Sequence, residues 1–201
     1  MPVTDAGIKI LRRSSFKALP WKNGGGITHE AIRVPPTGDA FLWRLSVAQI
    51  DSSGPFSDFA GYDRKMVLLQ GRGISLKFGS GEHCALCNVG DCVEFDGAMP
   101  TRCELLDGPC VDLNLMVSKS LRAAARVELL SEPTLVTAVH AETTLIFGIH
   151  DPLSLDHCVG EPTRLEPWDL AILERCNALL SKVTPGGDSA KSAVFIATIS
   201  P

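Results

Sequence analysis

Arginines that alternate with small polar residues on a strand, beside a glycine-rich bend carrying further donors, give this chain the means to hold a small carboxylate. Arg64 ends the segment Gly54-Pro55-Phe56-Ser57-Asp58-Phe59-Ala60-Gly61-Tyr62-Asp63-Arg64 and stands at the mouth of an apolar strand beginning near Lys65. A guanidinium there makes a planar, bidentate pair with a carboxylate. That partner is either a neighbour such as Asp63 or Glu30, fastening the loop, or a ligand. Phe41 to Ala48 alternates, with Arg44, Ser46 and Ala48 on one face and Trp43, Leu45 and Val47 on the other. Upstream, Pro20-Trp21-Lys22-Asn23-Gly24-Gly25-Gly26-Ile27-Thr28-His29-Glu30 sets three glycines in a row. Glycines cost conformational entropy, so the bend needs positive dihedrals or a close backbone approach, or else is a bulged hairpin connection. The expected lining is Arg64 first and Arg44 second as carboxylate clamps, with Ser46, Lys22, Asn23 and Thr28 as further donors. Trp43, Phe56 or Phe59 would supply apolar wall, and Glu30 or Asp63 would orient an arginine in the empty pocket.

Other chemistries have thin support. The glycines fit neither a phosphate loop nor a dinucleotide fingerprint, and no G-x-S-x-G elbow or activated cysteine is present. The five histidines, His29, His83, His140, His150 and His157, are separated singletons, and alternation puts His29 on the face opposite Thr28 and Glu30. Cys84-Ala85-Leu86-Cys87 has metal-ligand spacing, with His83 and Cys92 nearby, but a second knuckle is missing. The favoured reading is small hydrophobes on a strand. Seven cysteines, Cys103, Cys110, Cys158 and Cys176 among them, are an odd count at irregular spacing, which reads as reduced thiols.

The elements that must position these residues are strands. Lys65 to Leu69 is a short apolar run ended by Gly71 and Gly73, and Ile74 to Phe78 alternates after it, which reads as two strands with a tight connection. Further strands are expected at Cys92–Phe95, Cys103–Leu106, Val111–Val117, Thr143–Ile149, Asp169–Leu173 and Ala193–Ile199. The segment from Ser118 to Leu130 fits a short helix or a strand. An internal echo sharpens the architecture: Gly73 to Leu76 reappears as Pro152 to Leu155, and Gly90 to Phe95 as Trp168 to Leu173, 79 and 78 residues on. Two jelly rolls packed as one compact all-β unit would use the whole chain.

Composition limits the partners. At 201 residues, 45% hydrophobic and 21% charged, the chain can bury a core without staples and is not disordered. With 19 basic against 23 acidic residues, scattered, it lacks the basic face of a nucleic-acid binder. No long apolar run suggests a membrane span or export signal, so a cytoplasmic protein is expected.

The ordered motifs carry a resemblance. The glycine-rich segment, then Trp43-Arg44-x-Ser46-x-Ala48, then Gly54 to Arg64, then Phe95-Asp96-Gly97, Leu106-Asp107-Gly108-Pro109 and Asp112-x-Asn114-Leu115-Met116 resemble the HutD family, which includes the Ves proteins. The likeness runs from about Leu11 to Val117 and is looser beyond. It implies an all-β bicupin of two cupin-type jelly-roll barrels, residues 1–118 with the ligand pocket and 119–201. The implied function is a metal-independent, cofactor-free binder of a small carboxylate such as urocanate or N-formylglutamate, acting as a governor of histidine utilisation. The metal motifs usual in cupin enzymes, His-x-His with a downstream Glu and Pro-x-Gly-x-x-His, are missing from this sequence. The rivals are a cupin enzyme acting on an acidic metabolite and a regulator whose glycine loop meets a protein. Cupins often pair by sheet edges, so a homodimer is open, though no exposed apolar strand nominates itself.

Overall fold

The computed structural model describes residues 4–5, 8–138, 143–156, 161–174, 179–185 and 192–201. His140, His157, Cys158 and Cys176 lie outside the described residues. The chain divides into two units, Phe16–Leu121 and Met1–Ser15 with Arg122–Pro201.

In the Phe16–Leu121 unit, a six-stranded antiparallel sheet runs in the order Cys92–Asp96, Tyr62–Gln70, Cys110–Ser118, Trp43–Ile50, Gly26–Val34, Lys17–Pro20. A four-stranded sheet holds Gly54–Pro55, Thr101–Leu105, Ile74–Phe78 and His83–Leu86. Ile74–Phe78 in the smaller sheet alternates in burial, whereas the central strands of the larger sheet are buried on both faces, Leu45, Val67 and Leu113 on one and Met66 and Leu68 on the other. Ile50, Met66, Leu68 and Phe95 from the larger sheet pack with Ile74, Leu76, Leu86 and Cys103 from the smaller.

The second unit repeats this order. Its six-stranded sheet places Leu170–Glu174, Thr143–Gly148, Ser192–Ser200 and Arg122–Leu130 as the first places Cys92–Asp96, Tyr62–Gln70, Cys110–Ser118 and Trp43–Ile50. Its four-stranded sheet, Thr134–Ala138, Leu179–Pro185, Leu153–Asp156, Thr163–Leu165, matches likewise. The echo in the sequence marks one shared turn. Asp91 accepts from the backbone N–H groups of Cys87 and Asn88, and Asp169 from those of Glu166 and Arg13. The residue before each aspartate is left-handed, Gly90 at φ 94° and Trp168 at φ 69°. Glycine adopts that conformation freely and tryptophan does not. Trp168 is held by donating Nε1–H to the Ile149 carbonyl and by the Arg13 guanidinium 4.0 Å from its ring centroid.

Two expectations change, and one left open is decided. The tight connection between Tyr62–Gln70 and Ile74–Phe78 makes no hairpin: Gly71 and Gly73, at φ 112° and 115°, carry the chain from one sheet to the other. Ile74–Phe78 pairs instead with Thr101–Leu105 and His83–Leu86. The segment before Leu130 is a strand, Arg122–Leu130, along Ser192–Ser200. Residues 8–11 do not join the Phe16–Leu121 unit, because Ile8–Leu11 pairs with Leu170–Leu173 and buries Ile8 in the second unit's core.

Candidate carboxylate pocket

Register on the larger sheet of the Phe16–Leu121 unit builds the site. Residues directly opposed in an antiparallel pair share a face, and rows two residues apart along each strand repeat it. One row reads Phe95, Arg64, Met116, Arg44, Arg33. The next reads Met66, Asn114, Ser46, Glu30, and the one after Leu68, Asp112, Ala48, Thr28. Met66 and Leu68 are core, so the polar members of these rows face the unit's interior.

A cavity of about 570 Å³ opens over these rows, within the size range of small-molecule sites. Arg44, Arg64, Ser46, Asn114, Asp112 and Thr28 line it, with Phe56 and Phe59 from the preceding loop and Trp21, Lys22 and Asn23 from the glycine bend. Lys22 and Asn23 are exposed at the rim. Trp21 donates Nε1–H to Thr28 Oγ1 at 2.8 Å and meets Phe56 edge-on. The bend needs glycine at two points: Gly24 is left-handed at φ 71°, and Gly26 lies against the next strand. A Cβ on Gly26 would stand 2.2 Å from the Gln49 carbonyl oxygen, which is backbone and cannot yield. On Gly25 the nearest atom is the Ser52 hydroxyl at 3.1 Å. Gly26→Ala is therefore expected to cost at least about 2 kcal/mol in urea unfolding, and Gly25→Ala clearly less.

Arg64 is 5% exposed, its guanidinium 4.9 to 5.7 Å from the ring centroids of Phe56, Phe59 and Phe95. Burial draws its pKa down to about 10, against the attraction of Asp112 and with the help of Arg44. It stays charged at neutral pH. Arg44, more open, is lowered by burial; Glu30, whose Oε2 lies 3.8 Å from Arg44 Nε, offsets this, and Arg33 adds to it. Asp112 is 1% exposed, and burial pushes its carboxyl up to about 7, with Arg64 and Asn114 pulling the other way. Desolvation outweighs pairing on both sides of the Arg64–Asp112 couple.

Of the residues expected from sequence, Arg64, Arg44, Ser46, Lys22, Asn23, Thr28 and Phe56 come together around the cavity. Glu30 stands behind Arg44 as its ion-pair partner. Trp43 and Asp63 do not join them. Trp43, 4% exposed, lies on the reverse face of its strand between Val34 and Val117. Asp63, one residue from Arg64, points to the reverse face opposite Asp96 and Val117, so the charge beside Arg64 is Asp112 instead. Asp112 and Asn114 were missed as functional residues. Alternation sets Asp112, Asn114 and Met116 on one face, interleaved with Leu113 and Leu115, but does not say that this face is the interior one. Cys84 sits on His83–Leu86 against the core and Cys87 is exposed past its end. Among the described residues no three His, Cys, Asp or Glu side chains group as a metal site.

The second unit carries a different lining at the same register. Leu173 opposes Thr144 as Phe95 opposes Arg64, and Thr198 opposes Thr144 as Met116 opposes Arg64. Counting along the same strands sets Thr144, Ile196 and Val194 where the first unit has Arg64, Asn114 and Asp112. Duplicated jelly rolls, one of them with a charged interior, are the plan of a bicupin. A cupin 2 conserved barrel domain protein from Leptotrichia buccalis shares the fold at a TM-score of 0.58 and 8% identity, over 90% of this chain and 95% of that one.

The family model HutD matches residues 13–190, and the chain belongs to the HutD family. It is 34% identical over 180 residues to an uncharacterized 21.2 kDa protein in the hutC 3′ region of Pseudomonas putida, covering 89% of this chain and 93% of the relative. It is 38% identical over 109 residues to protein Ves of Cronobacter sakazakii, covering 53% of this chain and 59% of Ves. Its fold matches HutD from Pseudomonas fluorescens SBW25, solved in a formate condition, with a TM-score of 0.80 and 31% identity over 96% of this chain and 98% of that one. Among the described residues no helix is long and apolar enough to cross a membrane.

Proposed function

We propose that the chain binds a small carboxylate metabolite in the cavity of the Phe16–Leu121 unit, without a metal, and regulates histidine utilisation through that binding. The observation that carries this reading is the pair Arg64 and Arg44, set in one row with only Met116 between them. Both have a buried Nε that lacks a hydrogen-bond partner. Leaving buried guanidinium donors unmet is costly, and a carboxylate in the cavity pairs with both guanidinium groups through charge-assisted hydrogen bonds. Phe56 and Phe59 in the wall lower the local dielectric and strengthen those bonds. Membership of the HutD family, and the position of one relative in a hutC region, support histidine utilisation as the setting. The test is calorimetric titration with urocanate and with N-formylglutamate. One site per chain is expected, unchanged by a chelator; no heat with either ligand removes the proposal.

One observation favours an enzyme acting on an acidic metabolite instead: Asp112, with a carboxyl near neutrality in the same cavity, has the acidity of a general acid or base. Proton NMR of each ligand after prolonged incubation with the protein separates the two. Recovery of unaltered ligand supports the binding module.

A further inference from the structure

Four polar atoms of residues that line the cavity are buried without a hydrogen-bond partner, and they are sorted by register. The donors, Nε of Arg64 and Nε of Arg44, belong to the row through Met116, and the acceptors, Oδ1 of Asn114 and Oδ2 of Asp112, to the next two rows of Cys110–Ser118. Successive rows lie about 7 Å apart along a strand, and the long Arg64 side chain brings its charge within reach of Asp112 across them. The cavity therefore offers cationic donors and acceptors together, with Asp112 near enough to Arg64 for the two charges to act on each other.

The two acceptors differ in what they can become. Asn114 turns its amide to present either a carbonyl or an N–H, whereas an ionised Asp112 can only accept. A ligand bringing nothing but a carboxylate satisfies the arginines, leaves Asp112 Oδ2 without a donor and sets a second negative charge near it. A ligand that also turns an N–H toward Asp112 removes both penalties. Resting on the carboxylate reading above, we infer that Asp112, backed by Asn114, is a specificity-determining residue that selects small carboxylates bearing an amide or azole N–H over isosteres lacking it.

The experiment compares urocanate with 3-(furan-3-yl)acrylate at pH 8, where the imidazole is neutral. The two are alike in size and carboxylate, and only urocanate has an N–H. The wild-type chain is expected to bind urocanate at least about 10-fold tighter, the range of one hydrogen bond to a buried charge. Asp112→Leu is expected to bring the ratio close to one. Asp112→Asn, nearly isosteric and able to fold where leucine fails, is expected to lower it at least threefold. Equal binding of both ligands by the wild type, or weakened binding at an unchanged ratio in the variants, overturns the role of Asp112 and leaves the carboxylate clamp standing. Failure of both ligands to bind overturns the clamp and this inference together.

Discussion

Replacing Arg64 by glutamine is expected to weaken carboxylate binding by at least about 100-fold, the scale of losing one partner from a buried, hydrogen-bonded charge pair. Glutamine retains an N–H donor and much of the volume, so the loss reports charge. Arg64 is the more buried of the two arginines and is enclosed by three phenyl rings, so its field at a bound carboxylate is little screened. Arg44 is more open and shares its charge with Glu30, so Arg44→Gln is expected to cost about tenfold. The same difference governs salt: added sodium chloride erodes the Arg44 share and spares the Arg64 share. The fold does not depend on Arg64 in the same way. Its desolvation outweighs its attraction to Asp112, and Asp112 can take up a proton when the cation is gone. Calorimetry on the two variants, with urea unfolding at pH 6 as the control for folding, checks both halves. A well-folded Arg64→Gln chain that binds within threefold of wild type would exclude Arg64 as the clamp.

The strands were legible because period-two alternation and the boundaries set by glycine, proline and aspartate are local signals. Ile74–Phe78 and Cys110–Ser118 could be read nearly to their ends, and the echo of Gly90-Asp91 in Trp168-Asp169 marks the same aspartate-capped turn in both units. Pairing is not local. Gly71 and Gly73 signal a sharp turn equally well for a hairpin or for a corner between sheets, and the pairing of Ile74–Phe78 with His83–Leu86 and Thr101–Leu105 decides which. Ile8–Leu11 finds its partner across more than 150 residues, which no short-range pattern announces.

The site divides along the same line. Arg44 and Ser46 were legible as sharing a face, and Arg64 as standing at a strand mouth beside an aromatic loop. Trp43 and Asp63 could have been set aside by alternation alone, since each neighbours an arginine that points inward. Asp112 could not be valued from its sequence position, because an aspartate on an apolar strand reads as an ordinary exposed acid until the register sets it in the unit's interior near Arg64. Its chemistry is made by burial.

That burial makes folding stability depend on pH through Asp112 in a sense opposite to the usual carboxylate. Its pKa is raised from an ordinary 3.8 to about 7 in the folded chain, so between these values the folded state holds a proton that the unfolded state has released. Stability is therefore greatest below the lower value, falls as pH rises, and levels off above about 7. A shift of this size corresponds to about 4 kcal/mol at most. The charged and titratable groups near Asp112 do not mask it. Arg64 stays protonated until about 10, Arg44 is a guanidinium beside Glu30, and Cys103, driven up to about 12 by burial and by Asp112, remains a thiol. Asp91 and Asp96, whose carboxyls are lowered by hydrogen bonds, act in the opposite sense and only below the ordinary carboxylate range. Asp112→Asn resembles the protonated side chain at every pH. The variant is thus expected to lose the decline between pH 5 and 8 and to exceed the wild type at pH 8 by about 2 to 4 kcal/mol in urea unfolding. A wild-type chain whose stability stays flat or rises across that interval, or an Asp112→Asn chain that declines as steeply, would show that Asp112 is ionised at neutral pH without penalty. A bound carboxylate enters the same balance. It competes for Arg64, the counter-charge that holds Asp112 down, so a ligand without an N–H should draw a proton into the cavity and one with an N–H should not. Calorimetry at pH 8 in buffers of different ionisation heat reads that proton directly, and equal uptake for both ligands would contradict the coupling.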